Sequence, residues 1–495
     1  MPKDFFSVAR TTSLHTLRPG AKIHVIGVCG VAMAQISIAL SERGFEVSGS
    51  DRDFWEPMKS LLAKSSVQVK TGYLAEHVPV DADLVVIGNS ISYGNPEVDV
   101  VENTNLPYTC FPKILQEVAI AGKHSIVVTG THGKSTTTAL IATLLLQHGE
   151  SPSYFVGGVA QGLPQSLAVG QGRFSVVEGD EYDSAFFAKV PKFSFYTPDT
   201  VVVNAIEYDH ADIYANVEAI EREFANLVTS LRAENTAICC IDFPIVKRLV
   251  AQWRSSAACR IITFGRDPES DCVITERIVE GLSQRITVQG AGLGQVTFTL
   301  PMVGEYNARN ALAGLLVSHV VGLDLKKTIQ FLGEFRSVKR RQEVRASKNG
   351  VVLVEDFAHH PTAVAQTVDA IREAFPNARL WAIFEPRSNT SRRKVFQEEY
   401  VRAFQKANSV VFKNVVARAV DAGLELIDVS DLSKNVSDSG VPSVCLDDVA
   451  QIREHVWKGI NRDAASSAVR EVICVMSNGS FDGLIDLLQS DLLSA

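Results

Sequence analysis

Ser125-Ile126-Val127-Val128-Thr129-Gly130 runs directly into Thr131-His132-Gly133-Lys134-Ser135-Thr136, and that into the helical run TTTALIATLLLQHG (136–149). A strand, a glycine turn and a helix in this order make a phosphate loop. The glycines let backbone N–H groups close around phosphate oxygens, and the helix N-terminus adds partial positive charge. Lys134 is placed to neutralise the β- and γ-phosphates of ATP, and Ser135 to offer its hydroxyl to Mg²⁺. Gly130, Thr131, His132, Gly133 and Thr136 complete the candidate ATP-contacting loop. The general pattern wants glycine five residues before Gly133, where Val128 stands, so the fit is to a tighter variant. The plainer reading is a turn with an incidental lysine.

Outward from this loop, FSVVEGD (174–180) and TVVVNAI (200–206) read as further strands of one sheet. Each ends in acids: Glu178-Gly179-Asp180-Glu181-Tyr182-Asp183, and Glu207-Tyr208-Asp209-His210-Ala211-Asp212. In a parallel sheet both termini share the carboxyl edge with the phosphate loop, where hard oxygen ligands suit Mg²⁺. Solvated loop charges are the bland alternative. The block then turns β-rich through IITFG, CVITERIV, SQRITVQG and QVTFTLPM.

Two more α/β blocks flank this one. The first has IHVIGV, FEVSGSD and DLVVIGN, separated by helical spacing such as AMAQISIALSERG, which argues a parallel βαβ sheet. Its Gly27-Val28-Cys29-Gly30-Val31-Ala32 falls short of a dinucleotide fingerprint, because Cys29 and Ala32 occupy glycine positions. Asp51 ends the second strand, where a ribose-binding acid would sit. The third block opens at VVLVEDFA (351–358), after the basic stretch Val338–Arg341. It continues with RLWAIFEP, SVVFKNV and VICVMSNGS. Linkers fall near 120–123 and 336–346. In this block Asp356-Phe357-Ala358-His359-His360 follows a strand, and no cysteine or acid stands at zinc-site spacing from the histidine pair. Asn307 and Asn310 share a helix face at i,i+3, fit equally for capping or for a ligand. Arg387, in Glu385-Pro386-Arg387-Ser388-Asn389-Thr390, suits a substrate carboxylate, and a surface arginine explains it almost as well.

The bulk numbers set outer limits. At 495 residues the chain is too long for one core. A net charge of -8 gives no support for nucleic-acid binding. No apolar run approaches the roughly 18 residues of a membrane span, so no membrane insertion is expected. The eight cysteines lie mostly inside apolar runs and read as reduced core thiols of a cytoplasmic protein.

Taken in order, IGNSISYGNPEV, TGTHGKSTT, EGDEYDSAFF, EYDHADI, DFAHHPTA, EPRSNT and VMSNGS resemble the Mur ligases over nearly the whole chain. The resemblance implies an α/β protein of three domains. These are a Rossmann-like UDP-sugar-binding domain (1–122), a central P-loop ATPase domain with a β-rich part (123–336) and a Rossmann-like, peptide-binding C-terminal domain (345–495). It implies ATP-dependent ligation with Mg²⁺, Lys134 and Ser135 handling the phosphates, and Glu178 and His210 at the metal and catalytic site. Asn307 and Asn310 match adenine contacts, while Arg341 and Asp356 approach ATP from the third domain. Gly27, Gly30, Asp51 and Asn89 lie where the uridine nucleotide is held, and Arg387, Ser388 and Asn389 where the peptide is read. Within the family, the third-domain strings resemble the branch that joins L-alanyl-γ-D-glutamyl-meso-diaminopimelate to UDP-N-acetylmuramate in peptidoglycan recycling. The sister reaction, addition of L-alanine in peptidoglycan biosynthesis, is the alternative. Tyr306 departs from the family's usual histidine, and Gly179 from its usual alanine. An oxidoreductase would leave GTHGKST unexplained, and a non-ligating ATP-driven switch would hydrolyse ATP without an acceptor.

Overall fold

The computed structural model describes residues 5–209, 213–214, 216–416, 418, 421, 425–460 and 468–494. The chain forms two compact units. One is Met1–Glu207 with Asn216–Cys272 and Ala313–Phe331; the other is Tyr208–Ala215 with Val273–Leu312 and Leu332–Ala495.

The first unit opens with five parallel strands: β1 (Lys22–Ile26), β2 (Glu46–Asp51), β3 (Gln68–Thr71), β4 (Leu84–Ile87) and β5 (Tyr108–Cys110), in the order β3-β2-β1-β4-β5. β4, LVVI, is buried throughout, the continuous apolar run expected of a strand covered on both faces. The strand order reverses between β1 and β4, which opens a crevice at their carboxyl ends.

A second sheet of this unit holds β6 (His124–Thr129), β7 (Ser153–Phe155), β8 (Leu167–Ala168), β9 (Phe174–Gly179), β12 (Thr200–Val203), β13 (Thr236–Cys240) and β14 (Arg260–Gly265). They run in the order β14-β13-β12-β6-β9-β7-β8. A separate antiparallel hairpin pairs β10 (Asp183–Ala185) with β11 (Ala188–Pro191). β6 pairs in parallel with β9 and β12, and Thr129 stands beside both Gly179 and Val203. The phosphate-loop segment and the two acidic segments therefore leave the sheet at one edge.

In the second unit, β15 (Cys272–Glu280), β16 (Ser283–Gly290) and β17 (Gln295–Leu300) follow one another, and β16 pairs antiparallel with β17. β17 alternates exposed and buried residues, as a sheet with one solvated face requires. A six-strand sheet follows: β18 (Glu343–Lys348), β19 (Val351–Asp356), β20 (Arg379–Phe384), β21 (Ser409–Lys413), β22 (Ser443–Leu446) and β23 (Glu471–Met476), ordered β18-β19-β23-β20-β21-β22. Its strand side chains alternate between two cores. Val352, Val354, Leu380, Ala382 and Phe384 enter one, and Val351, Leu353, Trp381 and Ile383 the other. Burying each such branched side chain contributes about 1.5–3 kcal/mol.

Among the elements that escaped the sequence reading are β18 and the β10–β11 hairpin. β18 occupies part of the stretch read as a linker. It is an edge strand antiparallel to β19, and EVRASK buries only Ala346, so it carries no apolar alternation to detect. The β10–β11 hairpin is too short to show a period. All eight cysteines are free thiols, seven buried and Cys445 half-buried. Among the described residues no helix is long and apolar enough to cross a membrane.

Candidate functional site

In the first unit, β6 ends at Thr129 and the chain turns through Gly130 (φ 118°) and Gly133 (φ 82°) into the helix Lys134–Gln147. Both glycines hold backbone conformations that L side chains rarely adopt. A Cβ on Gly130 would lie 2.7 Å from Ala205 O and 2.8 Å from Ala205 N. That close approach lets Thr131 N donate to Ala205 O at 2.7 Å, tying the loop to the segment after β12. Val128 is a fully buried strand residue, so the loop proper begins at Gly130.

Lys134 is the first residue of the helix. Its Nζ donates to Gly130 O (2.7 Å) and to Glu181 Oε2 (2.8 Å), with Asp180 Oδ1 at 3.6 Å. Burial opposes its charge, but the Glu181 and Asp180 carboxylates outweigh burial and raise its pKa above the ordinary lysine value. Glu178, 6% exposed at the end of β9, accepts from Gly157 N at 2.6 Å. Burial pushes its carboxyl pKa up, against the Gly157 N–H, the Lys134 charge and the Ser135 hydroxyl. His132 Nε2 lies 2.9 Å from Glu207 Oε2, and Thr131 Oγ1 accepts from Glu207 N at 3.0 Å. Lys134, Ser135 and Glu178 thus converge. His210 lies outside the described residues.

Gly179 has a local reason. A Cβ there would come within 2.6 Å of Val127 Cγ1 and 2.8 Å of Thr129 Cγ2 on β6. Two supporting residues escaped the sequence reading: Gly157, through its N–H, and Asn204, whose Nδ2 donates to Thr137 Oγ1 at 3.2 Å. The only signal for either was position after a strand.

At the crevice of the first sheet, Asp51 Oδ2 accepts from Cys29 N (2.8 Å) and Oδ1 from Arg52 N (2.8 Å) and the Tyr73 hydroxyl (2.9 Å). Burial and the Asp51 carboxylate push the Tyr73 phenol up. Gly27, with φ 87°, turns the chain after β1, while Gly30 caps the helix Val31–Glu42 with an ordinary backbone. A cavity of about 490 Å³ opens here, walled by Asp51 and Trp55, Tyr73, and the Ser90–Pro96 segment. Asn89 is exposed beside that segment.

In the second unit, Asn307 Nδ2 donates to Val303 O (2.8 Å) and Gln342 Oε1 (3.3 Å), and Asn310 Nδ2 to Asn307 Oδ1 (3.4 Å). Asp356, 2% exposed, accepts from Gln342 N and Ala358 N, both at 2.8 Å. Burial raises its pKa, with the Arg341 guanidinium opposing. Arg341 itself lies 4.9 Å from the Phe357 ring centre. Tyr306 is held by burial well above the usual phenol range, and Asp356 adds to the shift. Asn307, Asn310, Gln342, Arg341 and Asp356 thus share one neighbourhood. Ser388 Oγ accepts from Ser391 N at 2.9 Å, and Asn389 Oδ1 from Arg418 Nη2 at 3.0 Å.

Residues 22–123 match the family model for the Mur ligase family, catalytic domain. Residues 128–318 match the Mur ligase middle domain, and 340–479 the Mur ligase, glutamate ligase domain. The chain is 30% identical over 466 residues to a UDP-N-acetylmuramate–L-alanyl-γ-D-glutamyl-meso-2,6-diaminoheptandioate ligase of Haemophilus influenzae, covering 93% of this chain and 97% of the relative. It is 32% identical to a UDP-N-acetylmuramate–L-alanine ligase of Chlorobium phaeobacteroides, covering 79% of this chain and 82% of that one. The crystal structure of a murein peptide ligase from Psychrobacter arcticus superposes with a TM-score of 0.68 at 29% identity, covering 96% of this chain and 99% of that one.

Proposed function

This chain belongs to the Mur ligase family, has its three-domain α/β fold and is an ATP-dependent amide-bond-forming ligase; on that premise we propose that it joins L-alanyl-γ-D-glutamyl-meso-diaminopimelate to the carboxylate of UDP-N-acetylmuramate, as a cytoplasmic enzyme of peptidoglycan recycling. The observation that carries the choice of amine is the span of the sequence alignment. The tripeptide ligase of Haemophilus influenzae aligns along nearly its whole length, and the L-alanine ligase over about four fifths. The L-alanine reaction is the second reading, favoured by the slightly higher identity to that ligase.

A carboxylate is a poor electrophile, so the reaction needs an activated acyl group. In the reading proposed here a muramate carboxylate oxygen attacks the γ-phosphorus of ATP, ADP leaves, and the peptide amine attacks the acyl carbon of the resulting acyl phosphate. The C–O bond then breaks and phosphate departs. Gly130–Thr136 cradles the ATP phosphates, and the Lys134 ammonium, held charged by Glu181 and Asp180, meets the negative charge that moves in the transfer. Asn307 and Asn310 take the adenine, with Arg341 and Asp356 approaching from the third domain. Residues 1–122, with Gly27, Gly30, Asp51 and Asn89, hold the sugar nucleotide. Residues 123–336 hold ATP, and 345–495, with Arg387, Ser388 and Asn389, hold the peptide.

Ser135 and Glu178 form a set of hard oxygen donors, one a buried carboxylate whose ionised form a cation would favour, and so they fit Mg²⁺. With His210 they would hold it, and when bound it would supply charge neutralisation at the phosphates and the developing oxyanion.

The test is phosphate release with ATP, Mg²⁺ and UDP-N-acetylmuramate, offering L-alanine or the tripeptide as amine. Turnover with the tripeptide alone supports the recycling reaction, and turnover with L-alanine moves the chain to the second reading. Phosphate release that needs neither amine refutes ligation and leaves an ATP-driven switch.

A further inference from the structure

Beneath the crevice of the first sheet lies a carboxylate that the reaction chemistry does not use. Glu97 is fully buried, the second residue of the helix Pro96–Thr104. Its Oε2 accepts from the Ser50 hydroxyl, and His24 Nε2 lies 3.4 Å away. Its Oε1 accepts from Leu74 N at 3.2 Å, with His77 Nδ1 at 3.5 Å. His24, Ser48 and Ser50 share one face of paired strands β1 and β2, and His24 Nδ1 also meets Ser48 Oγ at 2.9 Å.

These partners are not scattered. The cavity has three walls: the segment from Asp51 after β2, Tyr73 after β3, and Ser90–Pro96 after β4. Glu97 bonds to Ser50, which adjoins Asp51, and to Leu74, which adjoins Tyr73. It is itself joined by a peptide bond to Pro96. One buried side chain therefore ties all three walls at the residue next to the lining.

The helix start does not require the acid. Asn95 already caps it, its Oδ1 accepting from Glu97 N at 2.9 Å. Packing does not require it either, since a carboxylate withdrawn from water is unfavourable unless hydrogen bonds compensate, and an apolar side chain would fill the volume without that penalty. What a hydrogen-bonded acid adds here is fixed direction: two oxygens with set partners, one at the end of strand β2 and one on the segment after β3.

We infer that Glu97 is a positioning residue of the sugar-nucleotide pocket, clamping the end of β2 and the segments after β3 and β4 into the geometry that receives the uridine nucleotide. The inference rests on the reading that this pocket holds UDP-N-acetylmuramate. The clamp acts on that ligand alone. It sets the Asp51–Tyr73 pair before the ligand arrives, so its loss weakens sugar-nucleotide binding and leaves ATP handling untouched.

The experiment uses the full chain, with UDP-N-acetylmuramate binding by calorimetry and steady-state kinetics for wild type, Glu97→Gln and Ser50→Ala. Glu97→Gln keeps the shape but replaces one acceptor oxygen with a donating amide nitrogen. It should raise the sugar-nucleotide Kd and KM about tenfold, and Ser50→Ala, which removes one bond, about threefold. In both variants kcat and the KM for ATP should stay within about twofold of wild type. Unchanged sugar-nucleotide affinity in both variants, or a matching loss in kcat and ATP KM, overturns the inference. Should Glu97→Gln fail to fold, Ser50→Ala decides alone by the same criteria. A wild type that does not bind UDP-N-acetylmuramate overturns the pocket reading itself and this inference with it.

Discussion

Lys134→Ala separates what this lysine does for the fold from what it does for ATP. Its side chain is 14% exposed and pairs at 2.8 Å with Glu181, whose side chain is 1% exposed. Removing one partner of a buried ion pair typically costs about 3–5 kcal/mol, because the other charge stays buried. Lys192, which also pairs with Asp180, keeps part of the positive charge nearby and places the expectation at the low end, about 3 kcal/mol. For a domain of about 200 residues that is a fall in Tm of roughly 6–12 °C. Adding Glu181→Gln removes the stranded charge, so the double variant should recover at least about half of the loss. Activity should not recover. Ligation, read as phosphate release, should drop on the order of a hundred- to a thousand-fold in both variants, since the charge facing the phosphates is gone from each. Calorimetry on the full chain gives the stabilities. A double variant as unstable as Lys134→Ala would refute the ion-pair account, and ligation surviving Lys134→Ala would refute the phosphate-loop assignment.

Gly130→Ala should raise the KM for ATP and destabilise the chain by about 2–4 kcal/mol, because the new methyl meets Ala205 backbone and the φ of 118° is strained for alanine. Unaltered ATP kinetics in a folded variant would count against the loop. Asp421 is held well below the ordinary carboxylate range, chiefly by Arg418 hydrogen bonds and further by Arg392, against burial. A depressed folded pKa contributes stability that is complete above the unfolded value and lost as pH falls through it toward the folded one. Tm should therefore fall as pH drops below about 4, and Asp421→Asn should flatten that slope.

The parts that could be read from the sequence are those whose chemistry is local. Strand, glycine turn and Gly-Lys-Ser occupy a dozen consecutive residues, so SIVVTGTHGKST showed the strand, turn and helix and suggested the phosphate loop proposed above. The burial of Val128 in β6 accounts for the glycine missing from the general pattern. Asp51 could be read by its position at the end of a strand. What could not be read is made by pairs far apart in sequence: Glu178 with Gly157, Asn307 with Gln342, Glu97 with His24 and Leu74. No period or motif links such residues, because the sheet order that brings them together is a property of the folded chain. β18 failed for a different reason, its polar sequence being what an exposed edge strand needs.

The same distinction sharpens the third-domain reading. Arg387, Ser388 and Asn389 entered as one group, yet the structure divides them. Ser388 Oγ bonds to Ser391, closing its own turn, and Asn389 Oδ1 accepts from Arg418, which also grips Asp421. These two side chains shape the segment. The Arg387 guanidinium instead lies against Gly479, where an added Cβ would come within 2.3 Å of Nη1 and displace it. Gly479 is fixed in turn by its N–H to Ser477 Oγ (2.9 Å), and Ser477 donates to Glu385 Oε2 (2.6 Å), the residue that opens EPRSNT. The two strings EPRSNT and VMSNGS are therefore one structure at the carboxyl ends of β20 and β23. In the reading proposed for the peptide site, Arg387 would be the residue that meets a carboxylate, with Ser388 and Asn389 holding the turn that presents it.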